Sequence, residues 1–284
     1  MKRVLRWLGI VAGGIVAVLV VGLAVVYALS ARILNRTYAV PIVEAAIAVP
    51  SGPAAVAEGR RLATIRGCVT CHGTNLEGDV MIDDPMLARI ASPNLSRLVP
   101  RYTDAELERL VRHGVRKDGT GIVIMPASMF AALADADLGA IIAYLRSVPP
   151  VEHELPARRI GPLGRLGLVL GKFHTEPAII DHSVPHSAAP PTGDRLAFGR
   201  YLALTSCTEC HGRDLKGQRD GGPPGPNLAV AAAYSDSAFL TFFRTGNALG
   251  NRRLELMSPM TQRRFSRFSD DELGMLLGYL KTLR

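Results

Sequence analysis

Among 284 residues there are only four cysteines and one tryptophan, and aromatic side chains make up just 6%. So few aromatics, beside 28 glycines and 19 prolines, argue for small domains rather than one large sheet protein. No basic stripe interleaved with aromatics is present, which makes nucleic acid a poor partner despite a formal charge of +8. That charge is largely local. Residues 1–36 contain Lys2, Arg3, Arg6, Arg32 and Arg36 and no acidic side chain, so the rest of the chain carries 33 − 5 = 28 basic against 25 acidic residues, only +3.

What the N-terminus has instead is an uncharged, mainly apolar run from Trp7 to Ala31. The roughly 20 residues needed to cross a bilayer are available there. A cleaved signal peptide has a shorter apolar core and a small-x-small end; "YALSA" at 27–31 is a loose version of that end. Residues 1–36 are therefore read as an uncleaved single-pass anchor in the cytoplasmic membrane, with a cleaved signal as the alternative. Either reading exports the remainder. The basic flanks favour a cytoplasmic N-terminus, which puts the following domains on the periplasmic or extracytoplasmic side.

An internal repeat follows. "GRRLATIRGCVTCHG" from Gly59 answers "GRYLALTSCTECHG" from Gly199, and "SPNL" at 92–95 answers "GPNL" at 225–228. "YTDAELERLVRHG" answers "YSDSAFLTFFRTG", and "ADADLGAIIAYLRSV" answers "SDDELGMLLGYLKTL". The shared order of parts predicts one domain over 50–150 and a second over 192–284, joined by a Pro-rich linker over 151–191 with a short helix near 162–172. Each half reads as helical. Thr103 or Asp104, Ser235 or Asp236, and Asp135 and Ser269 or Asp270 stand where helices would open, before apolar residues spaced for one buried face. Gly59 and Gly199 are expected where a first helix crosses a last one, against Tyr144 and Tyr279. The fold class expected is all-α, with a transmembrane helix before two small helical domains.

All four cysteines fall in two C-x-x-C-H clusters: Cys68, Cys71 and His72, then Cys207, Cys210 and His211. Two thiols one helical turn apart can each form a thioether to a haem, and the adjacent histidine can reach the iron, which makes this the attachment signal for c-type haem. Disulfides would leave the two histidines and the repeat unexplained. Zinc on four cysteines would fuse two separately complete halves around one ion, and no strand-turn-helix setting suggests a thioredoxin-like pair. Two covalently bound haem c groups are expected. For the distal position, where a thioether suits ferrous iron, Met125 precedes a proline and is preferred to Met129. In the second half Met257 is preferred to Met260. A ligating histidine normally donates its other ring proton, and the carbonyls of Pro93 and Pro226 are the candidates, 21 and 15 residues after His72 and His211. His113 has no counterpart in the second half and receives no role. His153, His174, His182 and His186 are scattered through the linker and would matter for ligation only if the methionines fail.

These motifs, with "RHGVRKDG", "MPASMF" and "MSPM", resemble those of the class I cytochrome c family, and the chain resembles a membrane-anchored dihaem member of it over about 55–148 and 195–284. The resemblance implies His72 and His211 as proximal ligands, Pro93 and Pro226 as their carbonyl partners, and Met125 and Met257 as distal ligands. The first domain also resembles the cytochrome subunits of membrane-bound alcohol and aldehyde dehydrogenases, which usually have three haem motifs where this chain has two. The function implied is electron relay at the outer face of the membrane, between a redox protein donor and acceptor, free-standing or within a respiratory or dehydrogenase complex. The chain itself is read as a carrier and not an enzyme. The alternatives are a dihaem enzyme such as a peroxidase with one open iron, and a haem sensor or structural subunit.

Overall fold

The computed structural model describes residues 2–42, 47–183, 188–218 and 224–284. Helix α1 (Lys2–Leu34) runs unbroken through the apolar segment, its side chains exposed from Val4 to Val25. The first repeat then builds α2 (Pro53–Ile65), α3 (Cys68–His72), strands β1 (Asp79–Asp84) and β2 (Ala88–Ser92), and helices α4 (Leu95–Leu98), α5 (Asp104–His113), α6 (Ala127–Phe130) and α7 (Asp135–Ser147). The connecting stretch contributes β3 (Arg159–Ile160) and α8 (Pro162–Val169). The second repeat forms α9 (Arg195–Leu204), α10 (Thr208–His211), α11 (Asp236–Thr245), the short pair β4 (Asn247–Ala248) and β5 (Arg252–Arg253), α12 (Met257–Arg263) and α13 (Asp270–Leu280).

Local chemistry sets the helix ends. Thr103 caps α5 and Ser269 caps α13, each in a reciprocal capping box with a glutamate three residues on, Glu106 and Glu272. Ser235 caps α11 by accepting from the Ala238 N–H. Helices α5 and α11 both stop at a left-handed glycine, Gly114 and Gly246, at equivalent places in the two repeats.

In each repeat the first and last helices cross at a glycine. A Cβ on Gly59 would lie 1.9 Å from the Ala140 carbonyl oxygen and 2.9 Å from the Tyr144 Cβ. On Gly199 it would lie 2.1 Å from the Met275 carbonyl oxygen and 3.0 Å from the Tyr279 Cβ. Backbone cannot yield at such distances, so the crossing itself demands glycine. Around these crossings sit two separate apolar cores, one with Leu107, Met129, Leu138 and Ile142, the other with Phe239, Phe243, Leu273 and Leu276. The second core also takes in Ile65 and Ala134 from the first repeat.

The first repeat departs from a purely helical plan. β1 and β2 form an antiparallel hairpin between His72 and Pro93, which accounts for the longer interval there, and β3 adds a third antiparallel strand through Ala88–Ile160 and Arg89–Arg159 pairing. The linker is thus stitched to the first domain. Its Glu176 N–H donates to the Ile122 carbonyl, and a Glu176 carboxylate oxygen accepts from the Ser128 N–H at 2.8 Å. Helix α8, at the place expected for a short helix, packs against the end of α1, where the Arg165 Nη1 donates to the Ser30 Oγ at 2.9 Å and the guanidinium lies 4.4 Å from the Tyr27 ring centre.

Overpacking a crossing of this kind costs about 1–3 kcal/mol or more. Gly59→Ala and Gly199→Ala should each lower stability by at least about 2 kcal/mol, read as a fall in the denaturant midpoint; an unchanged midpoint would show that the helices can separate freely.

Candidate functional site

Both C-x-x-C-H clusters are short helical turns. Gly67, in a left-handed conformation (φ 87°), turns the end of α2 into α3, and Gly73 (φ 85°) ends it at once. This places Cys68, Cys71 and His72 on one turn. Cys207, Cys210 and His211 occupy the same arrangement at α10. All four thiols are unpaired. Burial pushes the Cys68 thiol up to about 11 and the Cys207 thiol up to about 12, against the pull of nearby guanidinium groups.

Each motif histidine is oriented by a backbone carbonyl. His72 Nδ1 donates to the Pro93 oxygen at 2.8 Å, and His211 Nδ1 donates to the Pro226 oxygen at 2.8 Å. A proton fixed on Nδ1 leaves the Nε2 lone pair free. Burial holds both imidazoles below the ordinary histidine range, outweighing the carbonyl that would stabilise the cation. A neutral imidazole with a free Nε2 beside two unpaired thiols is the donor set that c-type haem requires, and the residues present fit it.

The methionines differ in setting. Met129 is 2% exposed and built into the first core, whereas Met125 is half-buried immediately before Pro126, between that core and the Ile122–Ala127–Ile180 cluster. Met257 and Met260 lie one turn apart on α12, both half-buried against the second core. His113 is buried, its Nδ1 2.9 Å from His182 Nδ1, and so ties the linker to α5. His153 Nδ1 donates to the Glu77 carbonyl at 3.1 Å and His174 is exposed, while His186 lies outside the described residues. Among the described residues no three metal-ligating side chains gather elsewhere.

Sequence reasoning missed the seam between the two motifs. The Arg264 guanidinium, 5% exposed, donates from Nη1 to the Glu209 carboxylate at 3.0 Å and from Nε to the Ile65 carbonyl at 3.2 Å. Its Cζ would stand 2.7 Å from a Cβ on Gly67. Gly67 adjoins Cys68, and Glu209 lies between Cys207 and Cys210, so one guanidinium touches both haem-motif turns. Arg66, 2% exposed, donates to the Ser206 hydroxyl at 3.1 Å and pairs with Asp137 at 3.6 Å. Asp137 also accepts from the Tyr201 hydroxyl at 2.6 Å, while the same hydroxyl oxygen accepts from the Ala134 N–H at 3.1 Å. Burial pushes that hydroxyl up to about 12, keeping it a donor. At the edge, Arg61 bridges Glu58 and Glu272, each at 2.8 Å. The only sequence signal was the position of Arg66 two residues before Cys68.

Comparison with known proteins agrees with this double site. The cytochrome c family model matches residues 56–149 and 196–284. The chain is 24% identical to the fructose dehydrogenase cytochrome subunit of Gluconobacter japonicus, over 80% of this chain and 52% of that protein. It is 27% identical to the cytochrome c subunit of the quinone-type alcohol dehydrogenase of Gluconacetobacter polyoxogenes, over 81% of this chain and 56% of that protein. It is 24% identical to the gluconate 2-dehydrogenase cytochrome c subunit of Pantoea cypripedii, over 81% and 60%. The chain thus spans about half the length of the curated relatives it matches first. With two matching regions that each contain one C-x-x-C-H turn and its proline carbonyl, the chain belongs to the cytochrome c family.

Proposed function

We propose that this chain is a membrane-tethered dihaem electron relay, with one haem c on each repeat. The observation that carries the reading is the pair of motif turns held on the two sides of the Arg264 guanidinium. Haem c, when bound, supplies reversible one-electron exchange. The chain supplies the rest. Cys68, Cys71, Cys207 and Cys210 would hold the two groups covalently, His72 and His211 would present Nε2 to iron, and Met125 and Met257 would each offer a soft thioether as the second ligand. Pro93 and Pro226 fix the imidazole rings, and the surrounding apolar cores exclude water. The interdomain seam keeps the two motif turns adjacent, so electrons entering at one domain have a short path to the other.

Helix α1 is long and apolar enough to span a bilayer. Its last turns support retention rather than cleavage: Ser30, inside the small-residue stretch, is fully buried and bonded to Arg165, and Leu34 packs with Ile160 and Leu168. With the N-terminus on the cytoplasmic side, both haem domains lie on the periplasmic face. Because relatives are cytochrome subunits of dehydrogenases, the electron donor proposed is a dehydrogenase subunit and the acceptor a component of the membrane. Catalysis would need an open iron; a methionine candidate in each repeat argues for two closed ones.

The purified full-length protein should contain two haems per chain, and its reduced spectrum should not change on adding carbon monoxide. A rapid shift at one haem would mean an open iron and favour a peroxidase-like enzyme. Met125→Ala should keep its haem attached yet gain carbon monoxide binding in the first domain; a retained six-coordinate methionine spectrum would move the ligand to Met129. Met257→Ala and Met260→Ala, measured the same way, should open the second iron only in the Met257 variant.

A further inference from the structure

Helix α8 presents an apolar stripe that none of the described residues covers. Leu163, Leu166 and Leu170 stand at i, i+3 and i+7 on one face, 53%, 38% and 64% exposed, with Phe173 and Met86 exposed beside them. The opposite face cannot turn outward to hide them. Gly164 approaches the Leu87 carbonyl so closely that a Cβ would lie 2.2 Å away, and Leu168 is buried in the cluster with Leu34, Ala88 and Ile160. The start of the helix is pinned as well, since the Gly161 and Leu163 N–H groups donate to the Leu87 and Met86 carbonyls at 2.9 Å.

The position of α8 along α1 says what covers the stripe. Trp7 and Tyr27 are 27 − 7 = 20 residues apart on α1, about 30 Å at roughly 1.5 Å per residue, which is the thickness of a bilayer hydrocarbon core. Such aromatics mark the two membrane–water boundaries. Arg165 of α8 stacks on Tyr27 and donates to Ser30, so α8 sits at the outer boundary. The exposed cations Arg32 and Lys172 flank this region, suited to lipid phosphates.

We propose that α8 is an interfacial membrane element: the stripe of Leu163, Leu166 and Leu170 lies in the outer leaflet at headgroup depth. The first domain is then docked on the membrane surface rather than swinging on its tether. This rests on the reading of α1 as a retained anchor. A lipid occupant fits the continuity of the stripe with α1 and the flanking cations; a protein occupant is an outcome of the test.

The test uses the full-length holoprotein, in which the native cysteines are consumed as thioethers and an introduced cysteine takes a spin label alone. Leu166→Cys, Leu170→Cys, Leu19→Cys and Ala232→Cys variants would be labelled and reconstituted, reduced, in vesicles of phosphatidylethanolamine and phosphatidylglycerol. Accessibility to oxygen and to a water-soluble nickel chelate is then read by power saturation. The oxygen-to-nickel ratio at positions 166 and 170 should exceed that at 232 severalfold and fall short of that at 19. Ratios at 166 and 170 equal to that at 232, with 19 deep, would overturn the docking and leave the anchor standing. Occlusion from both reagents would assign the stripe to a protein partner and likewise overturn it. A water-exposed label at 19 would overturn the anchor itself.

Discussion

The Arg264 guanidinium is held out of water between two chain segments 144 residues apart, with its Nε donating to the Ile65 carbonyl and its Nη1 to the Glu209 carboxylate, while its Nη2 is buried without a partner among the described residues. Removing one partner of such a buried pair costs about 3–5 kcal/mol, because the remaining charge is left unpaired. That penalty, which ties the two motif turns together, is far larger than the contribution of an exposed pair within one repeat such as Arg195–Asp271, worth at most about 1 kcal/mol. Gly67 follows from the same constraint, since any Cβ there would strike the guanidinium as well as strain a left-handed backbone.

Arg66 repeats the device a few residues away. Its contacts with Ser206 and Asp137, and the Tyr201 hydroxyl shared between Asp137 and the Ala134 N–H, form a polar network across the seam. Ile65 and Ala134 meanwhile complete the core of the second repeat. The two repeats are consequently one mechanical unit around the seam, although each keeps its own core. Both guanidinium groups also lower the Cys68 and Cys207 thiols, opposing the effect of burial. The first cysteine of each motif therefore feels the same pair of positive charges.

Much of the fold was legible because it rests on local rules. Capping residues, left-handed glycines after α5 and α11, and the glycine crossings all leave signatures within a few positions. The hairpin between His72 and Pro93 was visible only as a longer interval; its strands are stabilised by β3, which comes from the linker nearly 70 residues later. His113 was unreadable for the same reason, its ring partner lying 69 residues away. The seam was least legible of all. Nothing near Arg264 in the sequence distinguishes it from neighbouring Arg263, and only the folded chain brings it against Glu209 and Ile65.

Potentiometric titration of the full-length protein beside its Arg264→Gln variant tests the shared seam most directly. The substitution withdraws a positive charge from beside both motifs and leaves the Glu209 carboxylate unbalanced, and both changes disfavour the electron-rich form of a nearby iron. Both haem potentials should fall together, with two haems per chain retained. A fall confined to one haem, or no change in either, would contradict an electrostatic unit common to the two domains.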